Sequence, residues 1–218
     1  GVFDHGTFAN IVATPSFGQH FTGWSGITTP NAIEANTTVS MTKDRNVTAN
    51  FAANRYNLNV LSESGGSAIG SGTFDHGTQA TISAGPQTGY AFTKWTGEVK
   101  DHNASTTTVD MTQDRNVSAS FTINQHSLTI SSGNGGSATG SGIYDYNSNI
   151  SITAIPDTGY DFAGWTGTGV NNPDSPISTV SLSQDRNLTA TFVLQNHLLS
   201  VTASFGGSAT GSGSFPYG

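Results

Sequence analysis

The chain has 218 residues and 22.5 kDa, with seven Lys and Arg against fourteen Asp and Glu, a formal net charge of −7 and no Cys. So few cations exclude a phosphate-binding surface and hence a nucleic-acid partner, and the missing Cys excludes disulfides, thiolate metal sites and thiol nucleophiles. No apolar run approaches the roughly 18 residues a membrane-crossing helix needs, so membrane insertion is not expected in this segment.

Charged residues make up 10% of the chain and glycine supplies 27 positions, a composition poor in core formers. Three Trp, six Tyr and twelve Phe nevertheless remain as anchors. Only three lysines occur, at Lys43, Lys94 and Lys100, which suits an exposed, protease-resistant extracellular protein. The sequence opens on Gly1, without an initiator Met or a signal peptide, and reads as an excerpt or a processed product.

Internal repetition decides the organisation. "SGGSAIGSGTFDHG" at Ser64–Gly77 returns as "NGGSATGSGIYDYN" at Asn134–Asn147 and as "FGGSATGSGSFPYG" at Phe205–Gly218. "MTKDRNVTANF" at Met41–Phe51 returns at Met111–Phe121 and Leu182–Phe192, and Trp24, Trp95 and Trp165 each begin a W-[ST]-G. The reading is a first repeat over 1–54 that lacks its opening strand, complete repeats over 55–125 and 126–196, and an opening segment of a fourth over 197–218. That last segment would pair with a following repeat or with a neighbouring subunit.

Taken in chain order within the second repeat, short stretches alternate apolar and polar residues at Leu58–Val60, Ala80–Ile82, Tyr90–Phe92, Thr108–Met111 and Val117–Phe121. Period two between Gly, Pro, Asn and Asp clusters is the signature of strands. At most one helical turn is expected, near Gly85–Phe92. Phe92 and Trp95 stand three apart, so a bulge or bend must intervene if both face the core. "FDHG" at Phe74–Gly77 reads as a short hairpin loop, and the exchange of Gly6 and Gly77 with Asn147 predicts a left-handed backbone there. The DRN turn, ended by Asn46, Asn116 and Asn187, and the "PDTGY" turn at Pro156–Tyr160, read as type I, complete the punctuation. Phe74, Ile82, Tyr90, Phe92, Trp95, Val109, Met111, Val117 and Phe121 are the expected core.

The junctions Phe51 to Leu58, Phe121 to Leu128 and Phe192 to Leu199 all span seven residues and contain neither Pro nor Gly. Flexible linkers are longer and rich in Gly and Ser. A stiff junction is therefore expected, with a strand running from one repeat into the next.

Candidate chemistry is sparse. Asp4–His5 and Asp75–His76 become Asp145–Tyr146 and Pro216–Tyr217, as a turn would and a catalytic pair would not. The six His show no metal spacing, and Asp101–Asn103 lacks the Gly and closing Glu of a calcium loop. "GGSATGSG" is followed by no Lys and no helix, so it is not a phosphate loop. Arg45, Arg115 and Arg186 recur either as partners of the Trp rings or as turn charges. The lysines do not recur at equivalent places, which argues against repeated isopeptide crosslinks. Sequons stand at Asn36, Asn46, Asn103, Asn116, Asn149 and Asn187. The three Trp read as core, with a sugar-stacking platform as the alternative. No catalytic, cofactor-binding or metal-binding residue is assigned, no cofactor is expected, and the chain is read as not an enzyme.

The pattern GGSATGSG…A-x-P-x-x-GY-x-F-x-x-W-[ST]-G…DRN-[VL]-[TS]-A-x-F resembles the divergent internalin-B B-repeat family of bacterial surface proteins. The first repeat departs from it in carrying Gln19 where the others have Tyr. The resemblance implies small, β-rich, β-grasp-like modules on the cell surface or outside the cell, in stalks and adhesins, with no catalytic residues to carry over. The expected fold is therefore all-β or β-rich α+β, in tandem antiparallel modules of about 70 residues arranged as a rod. The expected function is a structural stalk or filament that polymerises head-to-tail by strand donation. The alternative is an adhesin module with a glycan or protein ligand.

Overall fold

The computed structural model describes residues 1–26 and 32–218. The first repeat contributes β1 (Thr7–Val12), β2 (Gln19–Ser25), β3 (Asn36–Met41) and β4 (Thr48–Ala53). The second contributes β5 (Arg55–Ser62), β6 (Gly66–Ile69), β7 (Gly72–Asp75), β8 (Thr78–Pro86), β9 (Tyr90–Thr96), β10 (Thr106–Met111) and β11 (Arg115–Ile123). The third repeats that series as β12 (Gln125–Ser132), β13 (Gly136–Thr139), β14 (Gly142–Asp145), β15 (Ser148–Pro156), β16 (Tyr160–Thr166), β17 (Ile177–Leu182) and β18 (Arg186–Leu194). Then come β19 (Asn196–Leu199) and β20 (Gly213–Pro216). The fold is all-β. No helix occurs among the described residues, and Gly85–Phe92, where a helical turn was expected, is the end of β8, a turn and the start of β9.

By contact the chain divides into two compact units, Gly1–Gln87 with Phe92–Thr122, and Thr88–Ala91 with Ile123–Gly218. Each complete repeat is built from two sheets. In the second repeat a three-stranded sheet has the order β10-β8-β6 and a four-stranded sheet the order β7-β5-β11-β9. The third repeat has β13-β15-β17 and β14-β12-β18-β16. Pairing is antiparallel except at the centre of each larger sheet, where β5 runs parallel to β11 and β12 to β18. The parallel pair brings the first and last strands of a repeat side by side, which only a long connection permits.

This arrangement corrects the turn readings. Phe74–Gly77 does not close a hairpin, because β7 and β8 lie in different sheets. It is a corner, and the left-handed backbone expected there is present at Gly6 (φ 84°), Gly77 (φ 81°) and Asn147 (φ 62°). The DRN segment turns another corner, but the strand begins at its Arg, so Asn116 and Asn187 lie inside β11 and β18. In "PDTGY" the Tyr160 N–H donates to Asp157 O at 3.0 Å and Gly159 has φ 83°. A positive φ at the third residue defines a type II turn rather than type I.

The glycine-rich run makes another crossing. Gly70, at φ 122°, has room for no Cβ against Thr81 O at 2.6 Å. There the chain leaves one sheet for the other, and Ser71 Oγ accepts the Val60 N–H at 2.9 Å to fix the step.

The core lies between the two sheets. Ala80, Ile82 and Ala84 of β8 point inward at period two and meet Leu58, Val60, Val117 and Ala119 from the facing sheet. Trp95 is 1% exposed, and its indole N–H donates to Ala104 O at 3.0 Å. Phe92 packs on it at 5.8 Å between centroids and on Phe121 at 6.0 Å. The third repeat places Trp165, Phe162 and Phe192 alike, and the expected bulge is visible there as a register shift between Phe162 and Gly164. Of the expected core, Tyr90 stays outside the cluster, half-exposed, while the small Ala80 and Ala119 are among its most buried members.

Truncating a buried Trp costs about 3–5 kcal/mol, a large share of what a 70-residue module can hold. Trp95→Ala should therefore abolish the cooperative thermal transition of the second repeat in circular dichroism. A folded variant with an unchanged melt would contradict this core, and would restore Trp95 as a candidate surface ring.

Candidate functional site: the repeat junction

Each junction is one residue wide. Asn54 alone separates β4 from β5, Asn124 separates β11 from β12, and Gln195 separates β18 from β19. The three surroundings are alike. In the first unit Gly18 O accepts the Asn54 N–H at 2.8 Å, and Asn54 O accepts the His76 N–H at 2.7 Å. In the second unit Gly89 O accepts from Asn124 at 2.8 Å, and Asn124 O accepts from Tyr146 at 2.8 Å. The same pair of 2.8 Å bonds joins Gly159 O to Gln195 and Gln195 O to Tyr217. A turn carbonyl, a junction peptide and a corner amide thus form a short relay that satisfies backbone groups which would otherwise face each other unpaired.

A ring closes each joint. Gly18, Gly89 and Gly159 have φ between 76° and 83°, and a Cβ on any of them would fall inside the ring of His76, Tyr146 or Tyr217 respectively. Glycine is required there twice over, by the left-handed backbone and by the ring against it. A second ring flanks each first one. Tyr56 stands 5.9 Å from His76, His126 6.1 Å from Tyr146 and His197 5.9 Å from Tyr217. Phe17 adds an edge-on contact to His76 at 4.8 Å. His76 replaces the tyrosines of the other joints at a cost, since its Nδ1 is buried with no hydrogen-bond partner in the structure.

Side-chain acceptors fasten the strand that leaves each joint. Asp114 Oδ1 accepts the Asn57 N–H at 2.7 Å and Asp185 Oδ1 accepts the Ser127 N–H at 2.8 Å. The Ser127 amide, helped by His126 at 3.5 Å, holds the Asp185 carboxyl below the ordinary carboxylate value. Gln195 Nε2 donates to Asp161 Oδ1 at 2.8 Å across the last joint, and His20 Nδ1 lies 3.1 Å from Asn54 Oδ1 across the first.

The other candidate residues are brought to no common site. His76, Tyr146 and Tyr217 belong to the joints, and nothing in the sequence reading singled them out beyond a turn. The signal was their recurrence at a constant distance, about 58 residues, after a Thr-Gly or Phe-Gly step. Asp101 Oδ1 accepts the amides of Asn103 and Ala104 at 2.8 and 3.3 Å, which makes it a turn cap. No group of three or more His, Cys, Asp or Glu placed to hold a metal occurs among the described residues. Arg45 Nε donates to Ser40 O at 3.0 Å and Arg186 Nη1 to Thr168 O at 2.8 Å, while Arg115 pairs with Glu98 and Thr112. These guanidinium groups close turns. Trp24 Nε1 donates to Glu34 O and Trp165 Nε1 to Ser175 O, so all three indoles spend their N–H inside their own repeats.

Two-sheet modules of one design, joined through a single residue and a stacked ring, define a tandem β-repeat protein. The family described as the divergent InlB B-repeat domain matches residues 1–55, 56–125 and 126–196, and the chain belongs to that family of bacterial surface-protein repeats, whose members are generally not enzymes. No curated protein and no solved structure matches it.

The joint makes a specific demand. Gly89→Val must force a β-branched residue into the left-handed region, at about 1–2 kcal/mol for the backbone alone, and must expel the Tyr146 ring as well. Its thermal midpoint should fall by several degrees while Gly85→Ala, whose Cβ would meet only Ser67 Oγ at 3.6 Å, leaves the midpoint nearly unchanged. Equal midpoints for the two variants would contradict the joint.

Proposed function

We propose that this chain serves as a stiff extracellular spacer, a stalk or filament segment of a bacterial surface protein. The observation that carries the reading is the joint. Three times a strand passes from one repeat to the next with one intervening residue, two relayed backbone bonds and a ring packed on glycine. Hinges are the reverse of this, with exposed backbone and few packed contacts. A joint built from packed rings and relayed backbone bonds, with no chemistry at it, supports a role as a spacer rather than as a site.

The glycan-binding alternative gains no support from the tryptophans, because Trp95 and Trp165 are buried and Trp24 is half-buried with its N–H engaged. The glycine-rich segments are equally committed. Gly66 and Gly136 lie against the rings of Phe121 and Phe192, where any Cβ would collide.

Small-angle scattering tests the stalk directly. A compact single globule of this length would have a radius of gyration of about 17 Å. The stalk predicts a value well above that, together with the profile of a rigid elongated particle. A value near the globular one, or the signature of freely jointed beads, would overturn the reading.

A further inference from the structure

The recurring Asn of the DRN segment has no part in the fold. Asn116 and Asn187 are exposed near the starts of β11 and β18, beside the buried Val117 and Leu188, and Asn46 is exposed at the same place in the first repeat. Among the described residues their carboxamides make no hydrogen bond, whereas those of Asn50, Asn54, Asn57, Asn147 and Asn172 do. Packing and hydrogen bonding therefore give no reason for one residue type to return there in every repeat.

What the three share is a pattern of sequence on both sides. Each is an N-x-[ST] acceptor with an acid two residues before the Asn: Asp44 before Asn46 and Thr48, Asp114 before Asn116 and Ser118, Asp185 before Asn187 and Thr189. Two sequons outside the DRN segment have the same form, with Glu34 before Asn36 and Thr38, and Asp101 before Asn103 and Ser105. Five of the six sequons thus carry the acid, although only fourteen of the 218 residues are acidic, and Asn149, preceded by Asn147, is the exception.

Asn103 is the best presented of the five. Residues 101–105 lie outside any strand, in the loop between β9 and β10. There His102 O accepts the Trp95 N–H at 2.8 Å and Ala104 O accepts the Trp95 indole N–H at 3.0 Å. The two flanking carbonyls are held on the buried Trp, and the Asn103 between them is exposed. Asp101 caps this turn through Oδ1 alone, and Asp114 and Asp185 likewise accept the amides of Asn57 and Ser127 through Oδ1. The second oxygen of each carboxylate is left for a cation brought by another protein.

We propose that this chain is the substrate of an asparagine-directed glycosyltransferase, with Asn103 as the acceptor in the folded protein and Asn36, Asn46, Asn116 and Asn187 as acceptors in the chain before it folds. The donor is a glycosyl diphosphate. The Asn Nδ2 forms a bond to C1 of the sugar, and the bond from C1 to the diphosphate oxygen breaks. The bonding pair leaves with the diphosphate, and Nδ2 gives up one proton. The hydroxyl two residues after the Asn and the carboxylate two residues before it are what the enzyme reads, the first by hydrogen bonding and the second by pairing with a cationic side chain. A groove that reads five successive residues needs their backbone free of a sheet, which sets Asn103 apart from Asn116 and Asn187. Such modification takes the extracellular placing inferred above as given and does not depend on stiffness.

Peptide mass spectrometry of the whole protein, recovered from the cells that make it, should find glycan on Asn103 and on the other four Asn that follow an acid, and none on Asn149. Asp101→Asn keeps the oxygen that caps the turn and removes only the charge. That variant should stay folded while the occupancy of Asn103 falls about tenfold or more, the effect of losing one charge-assisted hydrogen bond. Ser105→Ala, at an exposed position, should abolish the Asn103 glycan and leave the others. Unmodified peptides at all five Asn, an Asn149 as fully occupied as Asn103, or an Asp101→Asn variant glycosylated like the parent would each overturn the assignment. Scattering keeps the two claims apart: a flexible chain with glycan on Asn103 removes the stalk alone, and a stiff chain with none removes the glycosylation alone.

Discussion

A backbone that must turn left-handed directly beneath an aromatic ring is the constraint on which the joints depend. At Gly89 the peptide presents its carbonyl to Asn124 on one side and its empty Cβ direction to Tyr146 on the other. Neither contact survives a side chain at that position. The relay then returns from the Asn124 carbonyl to the Tyr146 amide, so the turn of one repeat, the junction residue and the corner of the next are bound as a single backbone device. Hydrogen bonds of this kind add only about 1 kcal/mol each. Their effect on geometry is larger, because three elements with no freedom at their own ends are tied at one point.

The interior follows from the same economy of chain. A repeat of about 70 residues cannot bury enough surface with one sheet and one face. Here it makes two small sheets and crosses between them at every connection, with Gly70, Gly77 and Gly89 at positive φ at three of those crossings in the second repeat. The Trp stands near the end of β9 or β16 with its N–H satisfied locally, one Phe ring packed on it and a second Phe packed on the first. Small alanines on β8 and β11 let the facing sheets approach, which is why Ala80 and Ala119 are as buried as any large residue.

Strand positions were legible in the sequence because period-two alternation is a local property, and the exchange of Gly77 with Asn147 announced a positive φ without any partner in view. That a strand would run almost directly from one repeat into the next was legible in the short junctions, which hold neither Pro nor Gly. Which strands pair was not legible. β7 and β8 are adjacent in sequence with a two-residue corner, and local rules join them as a hairpin, yet they lie in different sheets. The parallel pairing of β5 with β11, each burying one face against the other sheet, spans a long connection that no short motif encodes. The joint itself was hidden for a related reason. "TGY" and "YDYN" each read only as local turns, and only three-dimensional proximity turns such a pair into a contact. The identity of the residue at the corner, His76 in one repeat and Tyr146 in the next, looked like the drift of an idle loop. A flat ring is what the joint needs, and both residues supply one.

Amide hydrogen exchange read residue by residue is the most direct measurement of whether the joints are built as described. The account predicts that the N–H groups of Asn124 and Tyr146 exchange as slowly as that of Val117 in the middle of β11, since all three open only when the surrounding structure does. Exchange of Asn124 and Tyr146 at the rate of a free peptide, while Val117 stays protected, would show repeats that fold independently on a loose tether and would contradict the account.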